Sequence, residues 1–296
     1  MKCLSCLIWT VIDSGLSTDA DKKQNTAKTS FVGWQLLAVG IITWTITGVV
    51  LTGIAYLIWP EPRALWQEYV ANFCAFLPLF VHLLITPKLM GMPVRTAFTS
   101  TPTFRWNFVW LGMWTWGLLL IGETAVKMIT SFNKLEVTFR PETFLPTLLV
   151  SLLLLPIQTA SEEMLFRGAL PQNLSRHIRQ PIVVVILSSV LFGAAHLMNP
   201  EALSRPIISL LAYSAVGFGW GLVTQKSGGL ELAIGAHTIN NFYGLFVVGY
   251  RNSAIRGSSI WMLPNINMVE SMILSIIMVM IWIVMLRGAL RDTKVI

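Results

Sequence analysis

Stretches without Asp, Glu, Lys or Arg recur along this chain, and several are as long as a lipid bilayer is thick. No charge falls between Thr29 and Pro60. Further runs cover Tyr69 to Pro87, Trp106 to Gly122, Thr143 to Ser161, Pro181 to Pro200, Pro206 to Gln225, Leu232 to Tyr250 and Ser271 to Leu286. About 20 apolar residues in a helix cross the hydrocarbon core. A backbone in lipid must satisfy its own hydrogen bonds, which leaves helices or closed barrels. The alternation over about ten residues that marks barrel strands is not seen. The expected fold class is therefore an all-α integral membrane protein, a bundle of about eight transmembrane helices. Composition agrees: 54% of the 296 residues are hydrophobic and 12% charged, against about a quarter charged in an ordinary soluble domain.

The stretches "WPEPR", "TPKLMGMP", "TSTPTF" and "KSGGL" read as connections, because Pro and Gly punctuate helices. Trp59, Trp66, Trp106 and Trp261 fall near span ends, where indole favours the interface. With eight spans both termini share a side. That side holds 13 Lys and Arg against 7 on the other, with Arg167 set aside. The bias places both termini in the cytoplasm of a multi-pass cell-membrane protein. The net charge of +7 reads as basic loops, and no nucleic-acid partner is expected. Cys3, Cys6 and Cys74 are too few for a disulfide scaffold, and no second ligand pair accompanies Cys3-x-x-Cys6. Residues 1–30 form a separate interfacial and polar N-terminal segment ahead of a bundle over 31–296. No internal repeat is evident.

Ionisable groups inside such spans are costly and call for a reason. "SEEMLFRGAL" places Glu162, Glu163 and Arg167 directly after the uncharged fourth run. On a helix Glu163 and Arg167 are i and i+4 and can pair. Glu162 then projects about 100° away and is free for chemistry. Taken alone, these charges fit equally well on a helix that has left the membrane. In "LFGAAHLMN", Phe192 and His196 share a face. In "AHTINNF", His237 and Asn241 do the same. Each histidine alone reads as a hydrogen-bonded packing residue. Glu123 and Lys127 read as a structural ion pair, and His82 as packing or polar lining.

Positions 163 and 196 are equidistant from the turn at Arg179–Gln180, so an antiparallel hairpin brings them to one height, roughly 25 Å from the turn at 1.5 Å per residue. The fourth helix is expected to run past Arg167 towards Arg176, with Pro171 as a bend. Three helices, the fourth, fifth and seventh, then offer a carboxylate, two imidazoles and an amide, a set that suits a hydrolytic site.

E-E-x-x-x-R at 162–167, F-x-x-x-H at 192–196 and H-x-x-x-N at 237–241 together resemble the signature of a known family. It is the CPBP or Abi family (CAAX protease and bacteriocin-processing) of intramembrane proteases, which includes the type II CAAX prenyl endopeptidases. The resemblance covers about 140–250. It implies an endopeptidase that cuts a peptide bond of a membrane-associated protein or peptide. Glu162 would be the general base, helped by His196. His237 and Asn241 would stabilise the oxyanion, and Glu163, Arg167 and Phe192 would hold the framework. Substrates at family level are CAAX proteins, leader peptides or bacteriocins. Zinc would accept Glu162, His196 and His237 as ligands, but no H-E-x-x-H occurs, and a metal-free glutamate mechanism is favoured. Two other readings stand beside the protease: a non-catalytic self-immunity or scaffold protein, and a proton-coupled transporter using the same residues.

Overall fold

A computed structural model describes residues 35–59, 64–101 and 103–291. The interfacial segment expected over 1–30 lies outside the described residues. The chain is an all-α membrane protein. After a π-helical turn at Gln35–Val39 come α1 (Gly40–Ile58), α2 (Leu65–Cys74), α3 (Phe76–Leu89) and α4 (Trp106–Thr130). Then follow α5 (Pro141–Glu163), a π turn (Met164–Ala169), α6 (Leu170–Leu174), α7 (Pro181–Ala195) and α8 (Pro200–Leu203). The last helices are α9 (Pro206–Ser227), α10 (Glu231–Phe246), α11 (Met268–Met285) and α12 (Arg287–Arg291). Proline opens α5, α7, α8 and α9, where its missing N–H has no intrahelical partner to lose. α9 stops at Gly228, whose φ of 71° is the left-handed conformation that suits glycine after a helix.

All eight uncharged runs carry helix. Among the described residues six crossings are long and apolar enough to span: 36–55, 65–89, 106–130, 141–174, 206–227 and 268–285. Helices α7 and α10, with 15 and 16 residues, stop short of the ends of the uncharged runs they follow. Asn199 is extended ahead of Pro200, as the residue before proline tends to be, so α7 does not run on to the end of its uncharged stretch. α10 gives way to strand because the carbonyls of Phe246 and Val247 accept from Ile260 and Trp261. The result is a small sheet of β1 (Glu136–Val137), β2 (Val248–Tyr250) and β3 (Trp261–Leu263), in the order β1-β3-β2. β1 is antiparallel to β3 (Glu136 opposite Met262) and β2 parallel to it (Val248 opposite Trp261).

The outside of the bundle is apolar. Val49, Leu57, Trp114, Ile129, Leu153 and Ile207 are each at least 71% exposed. Such a surface suits lipid as the outer solvent. Inside, Trp116 of α4, Trp220 of α9 and Trp282 of α11 are almost wholly buried and meet edge to face, with Trp116 centroids 5.7 and 5.2 Å from the other two. α4 and α10 cross in backbone contact. A Cβ on Gly112 would lie 2.2 Å from the Leu232 carbonyl oxygen, and one on Gly235 2.0 Å from that of Val109. Small residues are how membrane helices achieve this. The close crossing sets α10 deep in the bundle, with His237 on it.

Two local expectations hold. Glu123 pairs with Lys127, whose ammonium also faces the rings of Tyr243 and Tyr250. His82 Nδ1 lies 3.1 Å from Thr86 Oγ1.

Candidate active site

Glu162 and Glu163 end α5, where the helix widens into the π turn that carries Arg167. Such single-turn widenings are frequent at functional sites. Glu163 is fully buried and accepts from Arg167 Nη1 at 3.2 Å. The guanidinium is also within 3.5 Å of the Gly217 carbonyl oxygen and lies 4.0 Å over the Phe192 ring. The expected ion pair is thus present, and it is inside the protein rather than on a solvated helix. Phe192, 3% exposed, forms the floor under that charge.

Adjacent helical positions diverge, which predicts that Glu162 projects away from its neighbour's partners. Instead both carboxylates reach one imidazole. Glu163 Oε1 lies 2.7 Å from His237 Nδ1, and Glu162 Oε2 lies 3.7 Å from His237 Nε2. The ring of His237, 3% exposed, stacks on Trp220 at 4.5 Å. A carboxylate accepts, so Nδ1 is the donor in the short contact and Nε2 faces Glu162. Among the described residues, Glu162 Oε2 is buried with no hydrogen-bond partner, whereas its Oε1 accepts from Gln158 Nε2.

Gln158 escapes a reading keyed to charge, although it sits one helical turn before Glu162 in an otherwise apolar run. It accepts from Asn241 Nδ2 at 3.2 Å, so one amide links the carboxylate of α5 to the amide of α10. Thr159 and Thr238 join the same two helices at 2.8 Å. Trp116 Nε1 donates to Asn240 at 3.1 Å, beside Asn241.

His196 caps the C-terminus of α7 and is half-buried. Its Nδ1 lies 2.8 Å from the Phe192 carbonyl oxygen. A carbonyl only accepts, so Nδ1 carries hydrogen and Nε2 of the neutral ring keeps a lone pair. The Phe192 ring lies against both histidines, its centroid 4.5 Å from that of His196 and 6.1 Å from that of His237. The α5–α7 hairpin brings the two elements together chiefly through the π turn, with Phe166 and Phe192 rings 5.3 Å apart.

Among the described residues no three His, Cys, Asp or Glu side chains are gathered closely enough to hold a metal ion.

Residues 141–243 match the family model of the type II CAAX prenyl endopeptidases described as Rce1-like. The matched segment starts at the first residue of α5 and ends within α10, so it contains all three motifs. A curated relative, the uncharacterized protein YyaK of Bacillus subtilis (strain 168), is 30% identical over 172 residues, 57% of this chain and 57% of that protein. No solved structure matches.

Proposed function

We propose that this chain, Rce1-like over residues 141–243, is an intramembrane endopeptidase of the CAAX type that hydrolyses a peptide bond in a membrane-associated protein or peptide. The observation that carries the reading is the placing of two buried carboxylates on the two nitrogens of His237. One carboxylate is engaged by Arg167. The other, Glu162, has no such cation on it, and its buried Oε2 faces His237 Nε2.

In this reading Glu162 Oε2 takes a proton from water while the water oxygen bonds to the scissile carbonyl carbon. The lone pair of His196 Nε2 orients that water. Charge gathers on the former carbonyl oxygen, to which His237 and Asn241, one turn apart on α10, donate N–H groups. Glu163 holds the imidazole of His237 through Nδ1 as the carboxylate of a catalytic triad holds its histidine. The C–N bond then breaks, the carbonyl re-forms, and Glu162 returns its proton to the leaving amine. Burial gives these dipoles leverage that they would lack in water. We hold the chemistry to be metal-independent. From the distribution of Lys and Arg we place both termini on the cytoplasmic face of the cell membrane.

The test is cleavage of a membrane-tethered reporter peptide by purified protein in detergent, with and without a chelator. The parent cleaves under both conditions and Glu162→Gln does not. Activity lost with chelator and restored by zinc would replace the metal-free step. Partner binding that survives Glu162→Gln, with no proteolysis by the parent, would make the chain a scaffold or immunity protein. A proton flux lost in Glu162→Gln would make it a carrier.

A further inference from the structure

Beyond the three motifs, His196 is gripped by residues that they do not include. Its ring centroid lies 4.5 Å from that of the motif residue Phe192, with the planes tilted by 52°. Tyr213 of α9 stacks against it at 4.6 Å, with the planes 27° apart. The Tyr213 hydroxyl donates to Glu201 Oε1 at 2.8 Å, and Asn199 Nδ2 donates to the same oxygen at 3.2 Å. Glu201 is 7% exposed and sits on α8, five residues beyond His196. The chain therefore closes on itself: His196, the turn through Asn199, Glu201, Tyr213, and back to the imidazole.

We propose that Tyr213 and Glu201 are a positioning pair that fixes the His196 ring so that its free nitrogen points at the site shared with Glu162. The assignment rests on the endopeptidase reading for its consequence in rate, though not for its geometry. With Nδ1 bound to the Phe192 carbonyl, rotation of the imidazole about its own bonds is what remains to be restrained. The stacked Tyr213 restrains it, and Glu201 restrains Tyr213.

Two readouts separate this inference from the parent reading. The first is steady-state cleavage of the tethered reporter. Tyr213→Phe, which keeps the stack and loses the hydroxyl, and Glu201→Ala should each lower kcat about tenfold while KM stays within about twofold, the loss expected when a reacting group is misplaced rather than substrate binding weakened. Glu201→Gln, whose amide oxygen still accepts, should recover most of the rate. The double variant should be no slower than the slower single variant, because both break one link. Unchanged kcat in Tyr213→Phe and Glu201→Ala, or an equal loss in Glu201→Gln, would overturn the pairing. The second readout needs no proteolysis: the rate at which diethyl pyrocarbonate acylates His196, followed by mass spectrometry in the folded protein. Tyr213→Leu should expose the ring and speed acylation several-fold. An unchanged rate would overturn the stacking role whether or not the parent cleaves anything, whereas a silent parent with faster acylation in Tyr213→Leu would remove only the endopeptidase reading.

Discussion

Glu163 Oε1 lies 2.7 Å from Nδ1 of His237, a contact between residues 74 positions apart. With Arg167 on the same oxygen, it locks the end of α5 to the middle of α10 and fixes which nitrogen of His237 turns to Glu162.

Removing that lock leaves a buried guanidinium without its counter-charge. Glu163→Ala should destabilise the protein by about 3–5 kcal/mol, the usual consequence of breaking a buried pair from one side. The double variant Glu163→Ala/Arg167→Met should recover a large part of that loss. Thermal unfolding in detergent measures both, and a double variant less stable than Glu163→Ala would contradict the pairing.

Much of this architecture is legible in the order of the residues. All eight uncharged runs carry helix, and among the described residues six crossings are long and apolar enough to span, because lipid forces the backbone to bond within each segment. The i,i+4 spacing foretells the Glu163–Arg167 and Glu123–Lys127 pairs, because helix geometry alone sets them side by side. What is not legible is tertiary. Nothing in adjacent positions 162 and 163 says that both meet one imidazole. That depends on how closely α10 approaches, which Gly112 and Gly235 decide. Gln158 carries no charge, and Tyr213 looks like any interior aromatic of a span. The end of α10 at Phe246 depends on a partner strand at Trp261–Leu263, distant in sequence and without an alternating pattern.

Gln158→Leu keeps the apolar packing of α5 but severs the link from Glu162 to Asn241. Activity should fall roughly tenfold to a hundredfold, as expected for a misplaced reacting group, and stability should fall by about 1–3 kcal/mol because the buried Glu162 Oε1 loses its donor. Reporter cleavage and melting on the same preparation check this. A fully active Gln158→Leu would remove the amide from the site.

Asn241→Ala removes one proposed oxyanion donor and should lower kcat about 10²- to 10³-fold with little change in KM. A rise in KM at constant kcat would instead assign Asn241 to substrate binding.

Gly235→Ala inserts a Cβ 2.0 Å from the Val109 carbonyl oxygen, whereas a Cβ on Gly244 of the same helix would meet nothing within 4 Å. Gly235→Ala should therefore destabilise by about 1–3 kcal/mol or more and lower activity by pushing His237 off the carboxylates. Gly244→Ala should be neutral or slightly stabilising. Melting temperatures of the two variants compare them directly, and equal melting would contradict the close crossing of α4 and α10.

The central claim is that Glu162 drives hydrolysis by water within the bundle. Cleavage of the tethered reporter by protein in liposomes, run in water enriched in oxygen-18, tests it most directly. The account predicts a new carboxyl terminus bearing heavy oxygen with the parent, and neither fragment nor label with Glu162→Gln. A labelled fragment formed at the parent's rate by Glu162→Gln would contradict it.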